Sequence, residues 1–168
     1  MKSLAKAVTP IIVAFVIYII YTGAVTLYDI VTGAFVAILS GVALASMLVE
    51  DWRKSLDIKR FLYLIRYTIR YFIVDEVKSH LDVIKIGLSP KMPIKPGIVR
   101  VPIESRSDHG IMLVSISITN TPGTVVVDID KEKGILYVNW IYVKSVEPLE
   151  CYKEIAQTFD YYAKKIFD

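Results

Sequence analysis

Few residues in this chain have the type and spacing to do chemistry. The single cysteine, Cys151, falls near the start of an expected helix, where a thiol pKa can be lowered. An inert helix cysteine is the reading taken, and one cysteine makes neither an intrachain disulfide nor, alone, a zinc site. His80 and His109 stand 29 residues apart and show no ligand spacing. His80 reads as a surface or packing residue. Asp128 and Asp130 alternate onto one face of a strand like a carboxylate pair, but read as the solvated end of an exposed hairpin. Asp29 is the only charge between two apolar runs. A carboxylate there can relay a proton within a membrane, or simply sit in a turn, which is the reading taken. There is no Gly-Lys-Ser/Thr phosphate loop, no His-Glu-x-x-His and no Gly-x-Ser-x-Gly. No catalytic residue, metal ligand or cofactor is expected.

The elements that carry these residues point to a membrane. The chain has 168 residues and is 54% hydrophobic, above the roughly 45–50% of soluble domains. The excess is at the N-terminus. Ala7 to Tyr28 has no charge, and neither has Ile30 to Val49. Each run exceeds or matches the roughly 20 helical residues that cross the hydrocarbon layer. A signal peptide competes with this reading, because Lys2 and Lys6 precede the first run. That run is long for such a peptide and a second follows at once, so an uncleaved anchor is expected. Thr22, Gly23 and Asp29 are the turn candidates, and Pro10 reads as a helix-entry residue. Lys2 and Lys6 flank one end of the hairpin, and Arg53, Lys54, Lys59 and Arg60 the other. Both ends are basic, which places both in the cytoplasm. In the second run Gly33, Ala37, Gly41 and Ala45 recur every four residues and share one face. Such a ridge lets another helix come close, either the first span or a helix of a different protein.

Phe61, Leu62, Leu64, Ile65, Ile69 and Phe72 fall on one arc of a helix, with Arg66 and Arg70 opposite and Tyr63, Tyr67 and Tyr71 as a flanking stripe. A third span would bury both arginines, at about 2.5–3.5 kcal/mol each. An interfacial helix avoids that: apolar arc in lipid or against other helices, arginines at phosphates, tyrosines at the boundary. The helix should continue through His80 and Lys85 to Leu88, before Pro90. Arg53 to Arg106 holds twelve Lys/Arg and five Asp/Glu; Ser107 to Asp168 holds six and nine. The basic half suits anionic headgroups, to which Arg53, Lys54, Lys59, Arg60, Arg66 and Arg70 are assigned. No basic stripe stands apart from the membrane segments, so a nucleic-acid partner is not expected.

Beyond a hinge at Pro93, Pro96 and Gly97, strands are expected over Ile98 to Ile103, Val125 to Ile129 and Ile135 to Val143. Asp108 can cap a helix to about Thr119, although 115–119 also alternates like a strand. Pro148 should start a final helix to about Phe167. The expected fold is an α+β membrane protein: a transmembrane hairpin (1–52), an amphipathic interfacial helix (53–90) and a small cytoplasmic β-α-β-β-α domain (91–168).

The hairpin and the stretches Ser79 to Glu104, Thr119 to Asp130 and Gly134 to Val143 resemble the E subunit of Mrp-type cation/proton antiporters. The more specific patches are Lys95-Pro96-Gly97-Ile98-Val99 and Thr121-Pro122-Gly123-Thr124. The family also supplies a component to archaeal membrane-bound hydrogenases and related ferredoxin-linked complexes. The resemblance implies a small structural subunit of a sodium/proton antiporter module in the cell membrane. Its partners would be the other antiporter-module membrane subunits and, in such a host, hydrogenase subunits. The ion paths would run mainly in neighbouring subunits. The competing expectation is a free-standing membrane-anchored module that recruits a cytosolic partner.

Overall fold

The computed structural model of the chain describes residues 2–49 and 51–168, with side chains from residue 5 onward. Lys2, expected to flank the first span, therefore lies outside the described side chains. Contacts group the chain into two compact units, Met1–Ile58 and Lys59–Asp168.

The first unit is a helical hairpin. Helix α1 (Lys2–Thr22) ends where Gly23 adopts φ +65° and donates its N–H to the Ile19 carbonyl at 3.1 Å. Glycine occupies this left-handed cap conformation without the steric cost of a Cβ. Helix α2 (Leu27–Leu48) begins at Thr26. The Thr26 hydroxyl accepts the Asp29 N–H at 3.3 Å, and the Asp29 carboxylate accepts the Thr26 N–H at 3.1 Å. This reciprocal box satisfies two N–H groups that a helix start leaves open. Asp29 therefore stands in the first turn of α2 instead of in the connecting turn. Pro10 is also placed differently: α1 begins at Lys2, so the proline lies inside the helix and not at its entry. A short helix, α3 (Trp52–Ser55), is capped by Asp51, and the Thr9 hydroxyl donates to Ser55 at 3.0 Å.

In the second unit, α4 (Ile58–Arg70), a π-turn (Tyr71–Asp75) and α5 (Glu76–Leu88) form one continuous rod. Three strands follow, β1 (Gly97–Pro102), β2 (Thr124–Asp130) and β3 (Ile135–Trp140), with α6 (Asp108–Asn120) between β1 and β2. The chain closes with α7 (Pro148–Cys151), a second π-turn (Tyr152–Ala156) and α8 (Gln157–Phe167). The sheet order is β1-β3-β2, and both outer strands run antiparallel to β3. Hence β1 and β2 are parallel to each other, α6 is their crossover, and β3 lies between them. Alternation turns Val99, Val101, Leu136 and Val138 inward onto Val114 and Ile118 of α6 and Phe159 and Tyr162 of α8.

The ambiguous stretch 115–119 is helical. Its serines tolerate the helix because their hydroxyls donate back to carbonyls one turn earlier: Ser115 to Ile111 at 2.8 Å and Ser117 to Leu113 at 2.6 Å. The cap of α6 is Ser107, whose hydroxyl accepts the Gly110 N–H at 3.2 Å, and not Asp108. The loop before it is held by two carboxylates from α8 and its end. Asp160, fully buried, accepts from the N–H groups of Glu104 and Ser105 at 2.9 and 3.0 Å. Asp168 accepts from those of Arg106 and Ser107 at 3.0 and 3.1 Å. Four consecutive backbone donors, which would otherwise be costly at the edge of a core, are thereby satisfied.

Candidate membrane and assembly surfaces

The four small residues of the ridge, Gly33, Ala37, Gly41 and Ala45, are the buried residues of α2. What buries them is α1. A Cβ on Gly41 would lie 2.5 Å from Ile11 Cγ1 and 2.8 Å from the Ile11 backbone nitrogen, and one on Gly33 would lie 2.6 Å from Tyr18 Cδ1. The two helices thus touch backbone to backbone, which is how small residues associate helices in lipid. The sequence left two candidates for this face, the first span and another protein; here the ridge packs within the chain. The opposite faces carry exposed Ile, Val, Leu and Phe side chains. Windows at Ala5–Thr22 and Leu27–Leu48 have mean hydropathies of 1.9 and 2.1.

Several hydroxyls in the hairpin have partners within it. Tyr18 and Thr32 hydroxyls bond at 2.9 Å across the two helices, and Thr32 donates to the Tyr28 carbonyl at 2.7 Å. Ser40 donates to Val36 at 2.8 Å. No carboxylate or basic group lies between Ile30 and Val49. A pathway for an ion needs groups that can replace its hydration, and between Ile30 and Val49 this helix offers three hydroxyls, of which Thr32 and Ser40 donate to backbone carbonyls.

The amphipathic rod has two working faces. Tyr67 and Tyr71 are only 5% and 7% exposed and pack with Tyr162 and Phe159. The tyrosine stripe is therefore core, and not a boundary with lipid as its sequence pattern suggested. Tyr67 makes a short hydroxyl contact with Ser117, and Asn120 donates to the Tyr71 hydroxyl at 2.9 Å. Burial pushes the Tyr67 phenol up to about 12. On the other face Phe61 is 54% and Phe72 62% exposed, with Ile65 and Ile69 between them.

The basic residues assigned to the membrane surface divide. Arg53 lies over the Trp52 ring, 5.7 Å from its centroid. Arg66 is exposed and Lys59 also faces outward. Arg60 donates to the Ile166 carbonyl at 2.8 Å, at the C-terminal end of α8, where a cation is favoured. Arg70 pairs with Asp75 at 3.3 Å and reaches the Thr158 hydroxyl at 3.4 Å. Burial raises the Asp75 pKa, and the Arg70 charge pulls against it. Lys54 is half-buried in the hairpin unit.

The residues with chemical potential are engaged structurally. Cys151 is buried, its thiol pKa is raised by that burial, and Sγ lies 3.2 Å from the Ser145 carbonyl. His80 bonds the Glu76 carbonyl at 2.9 Å, and His109 stacks on Phe167. Asp128 accepts the Ile129 N–H at 2.8 Å, and Asp130 is held by Lys133 at 2.7 Å. Among the described residues no group of three His, Cys, Asp or Glu is arranged to hold a metal.

A model of the MNHE family, Na+/H+ ion antiporter subunit, matches residues 11–166, across both units. The chain belongs to this antiporter-subunit family. The E subunit of the Na+/H+ antiporter of Alkalihalophilus pseudofirmus is 32% identical over 145 residues, covering 86% of this chain and 87% of that one. Its Bacillus subtilis counterpart is 38% identical over 76 residues, 45% of this chain and 48% of that relative. Among solved structures, a chain of the membrane-bound sulfane sulfur reductase, an archaeal respiratory membrane complex, superposes with a TM-score of 0.84. It is 29% identical and the match covers 97% of this chain and 99% of that one.

The two patches that carry the family resemblance take their meaning from the sheet. Lys95 donates to the Ile141 carbonyl at 3.0 Å and accepts from the Val143 N–H at 2.9 Å, and Gly123 accepts from the Ile141 N–H at 2.9 Å. In this MNHE-family chain both patches therefore clasp one segment, 141–143, from either side. Their work is architectural, and sequence reading missed the convergence because the patches are 26 residues apart, from Lys95 to Thr121.

Proposed function

We propose that this MNHE-family chain is a structural component of an Mrp-type sodium/proton antiporter module and carries none of the translocated ions itself. The supporting observation is the hairpin: its small-residue ridge is engaged with α1, the Thr32 and Ser40 hydroxyls of α2 donate to backbone carbonyls, and its outward faces are predominantly apolar. Such a pair fits against lipid and neighbouring membrane subunits. The host we favour is an archaeal membrane-bound respiratory complex, a hydrogenase or a related ferredoxin-linked assembly. The likeness to a chain of one archaeal respiratory complex over nearly its full length supports that choice.

In this reading the hairpin crosses the membrane twice and the second unit is cytoplasmic, because Lys6 at one end and Arg53 and Lys54 at the other are basic. The α4–α5 rod then lies at the membrane surface, with Arg53, Lys54, Lys59 and Arg66 near headgroups. Affinity capture through a tag on this chain, after mild detergent extraction, tests the assembly. Co-migration with several antiporter-module subunits on a native gel is expected. Migration as a free chain, or with one soluble partner, would contradict it. For orientation, a cysteine at Lys133 should resist an impermeant thiol reagent in intact cells and react after lysis. Labelling in intact cells would invert the topology.

A further inference from the structure

The outward face of the rod holds a longer pattern than the sequence alone reveals. Phe61, Ile65, Ile69 and Phe72 are exposed and recur at steps of four, four and three. Val77, Leu81, Ile84 and Leu88 are exposed too, at steps of four, three and four. Between Phe72 and Val77, past Ile73 and Val74, which are also exposed, the step is five, which in a regular α-helix would set Val77 about 140° from Phe72. That step falls in the π-turn Tyr71–Asp75, where the Glu76 N–H bonds the Tyr71 carbonyl five residues back. A π-turn accommodates one extra residue, which cuts that offset to about 40°, that of an ordinary four-residue step, and keeps the two groups on one face. The apolar stripe then runs the length of residues 58–88, about 45 Å at 1.5 Å per residue.

A second line accompanies it. Lys59, Arg66, Arg70, Lys78 and Lys85 each directly follow an exposed apolar residue: Ile58, Ile65, Ile69, Val77 and Ile84. Directly following means about 100° round the helix, on the same flank each time. Their steps are seven, four, eight and seven. These are whole numbers of turns, with the extra residue again absorbed at the π-turn. Two acids share the flank: Asp75, which follows the exposed Val74 and pairs with Arg70 at 3.3 Å, and Asp82, which pairs with Lys85 at 3.3 Å. The residues preceding the stripe form no such row: they include Arg60, Leu64, Thr68, Glu76 and His80.

We propose that this paired track, an apolar stripe with a basic row along one flank, is a docking surface for a leaflet carrying anionic phospholipid headgroups, and that it extends past the π-turn to Lys78 and Lys85. The proposal rests on the reading of the rod as a membrane-surface helix and names what it binds there. Charge complementarity carries the choice of occupant. A row of cations repeated every one or two turns over about 40 Å matches a surface that presents phosphates everywhere, while the stripe reaches into the acyl boundary. The chain's own spans keep that surface within reach.

The test uses the full chain with nitroxide labels on Ile65→Cys or Ile84→Cys. Cys151 is buried and is retained, and the chain without an added cysteine is the labelling blank. The protein is reconstituted into vesicles of phosphatidylcholine, or of phosphatidylcholine and phosphatidylglycerol in equal parts. Collisions with oxygen and with a water-soluble nickel chelate are compared. Both labels should favour oxygen in the anionic vesicles. Lys78→Gln with Lys85→Gln should lower the docked-to-undocked ratio at Ile84 by about 25-fold, about fivefold per charge. Lys131→Gln with Lys133→Gln, a matched loss of charge elsewhere, should leave it unchanged. An aqueous Ile84 beside a lipid-facing Ile65 overturns the extended track and leaves the membrane-surface reading standing. Aqueous signals at both positions overturn that reading as well. Labels shielded from both reagents mean that protein covers the face, which overturns the lipid occupant. A docked Ile84 indifferent to vesicle charge and to the glutamines removes the basic row from the interaction.

Discussion

Gly41→Ala tests the closest approach in the hairpin with a single methyl group. That carbon would sit 2.5 Å from Ile11 Cγ1, 2.8 Å from the Ile11 nitrogen and 2.9 Å from the Ile11 Cα. Ordinary carbon contacts need about 3.5–4.0 Å. The Ile11 side chain can rotate, but its backbone atoms cannot. Relief therefore requires the helices to separate by several tenths of an ångström along the whole ridge. Overpacking of this kind costs about 1–3 kcal/mol. At Gly33 the obstacle is the Tyr18 ring at 2.6 Å, which can turn aside, so Gly33→Ala should cost less. Val42→Leu, on the exposed side, is the control. The assay is detergent-driven unfolding of the purified chain, followed by recovery of the assembled complex. The expected order of loss is Gly41→Ala, then Gly33→Ala, then Val42→Leu. A Gly41→Ala protein as stable as Val42→Leu would refute close packing of α1 on α2.

The Tyr67–Ser117 contact should be asymmetric. Tyr67→Phe leaves Ser117 still donating to Leu113 and should cost no more than about 1 kcal/mol, whereas Ser117→Ala strands a buried phenol at about 1–3 kcal/mol; equal losses in chemical denaturation would refute this. The phenols of Tyr67 and Tyr152 are both pushed up to about 12 from 10.0, first by burial. The unfolded chain therefore loses these protons first, so their contribution is complete below pH 10 and lost as pH climbs through 12. Near-ultraviolet titration should show late-ionising tyrosines, and Tyr67→Phe should flatten the alkaline fall in stability; an unchanged slope would contradict the burial.

The helix and strand pattern was legible in the sequence where one period dominated. The spans, the Pro148 helix and the β-α-β-β-α order rest on uninterrupted runs and on proline and glycine punctuation. The placement of Tyr67 and Tyr71 was not legible. Tyrosine suits both a lipid boundary and a core with a hydroxyl partner, and the partner Ser117 lies 50 residues away. The π-turn was hidden for a related reason: Ile73 and Val74 fill the step from Phe72 to Val77, so the apolar spacing shows no break there. The roles of Asp160 and Asp168 have no signature in the sequence. Their role depends on a loop about 60 residues earlier that presents four N–H groups together. Asp29 was expected in the turn but belongs to the first turn of α2, and its capping box with Thr26 was not foreseen.

Whether this chain is a scaffold or an ion carrier is tested most directly at Asp29, the only carboxylate within residues 7–49. Asp29→Asn retains size and a side-chain oxygen for the Thr26 cap, and removes the group that could relay a proton. Sodium/proton exchange should be measured in reconstituted complex, with the protein composition determined on the same sample. A scaffold role predicts exchange near the wild-type rate in a fully assembled complex. Loss of exchange with every component present would put Asp29 in the ion path and contradict it.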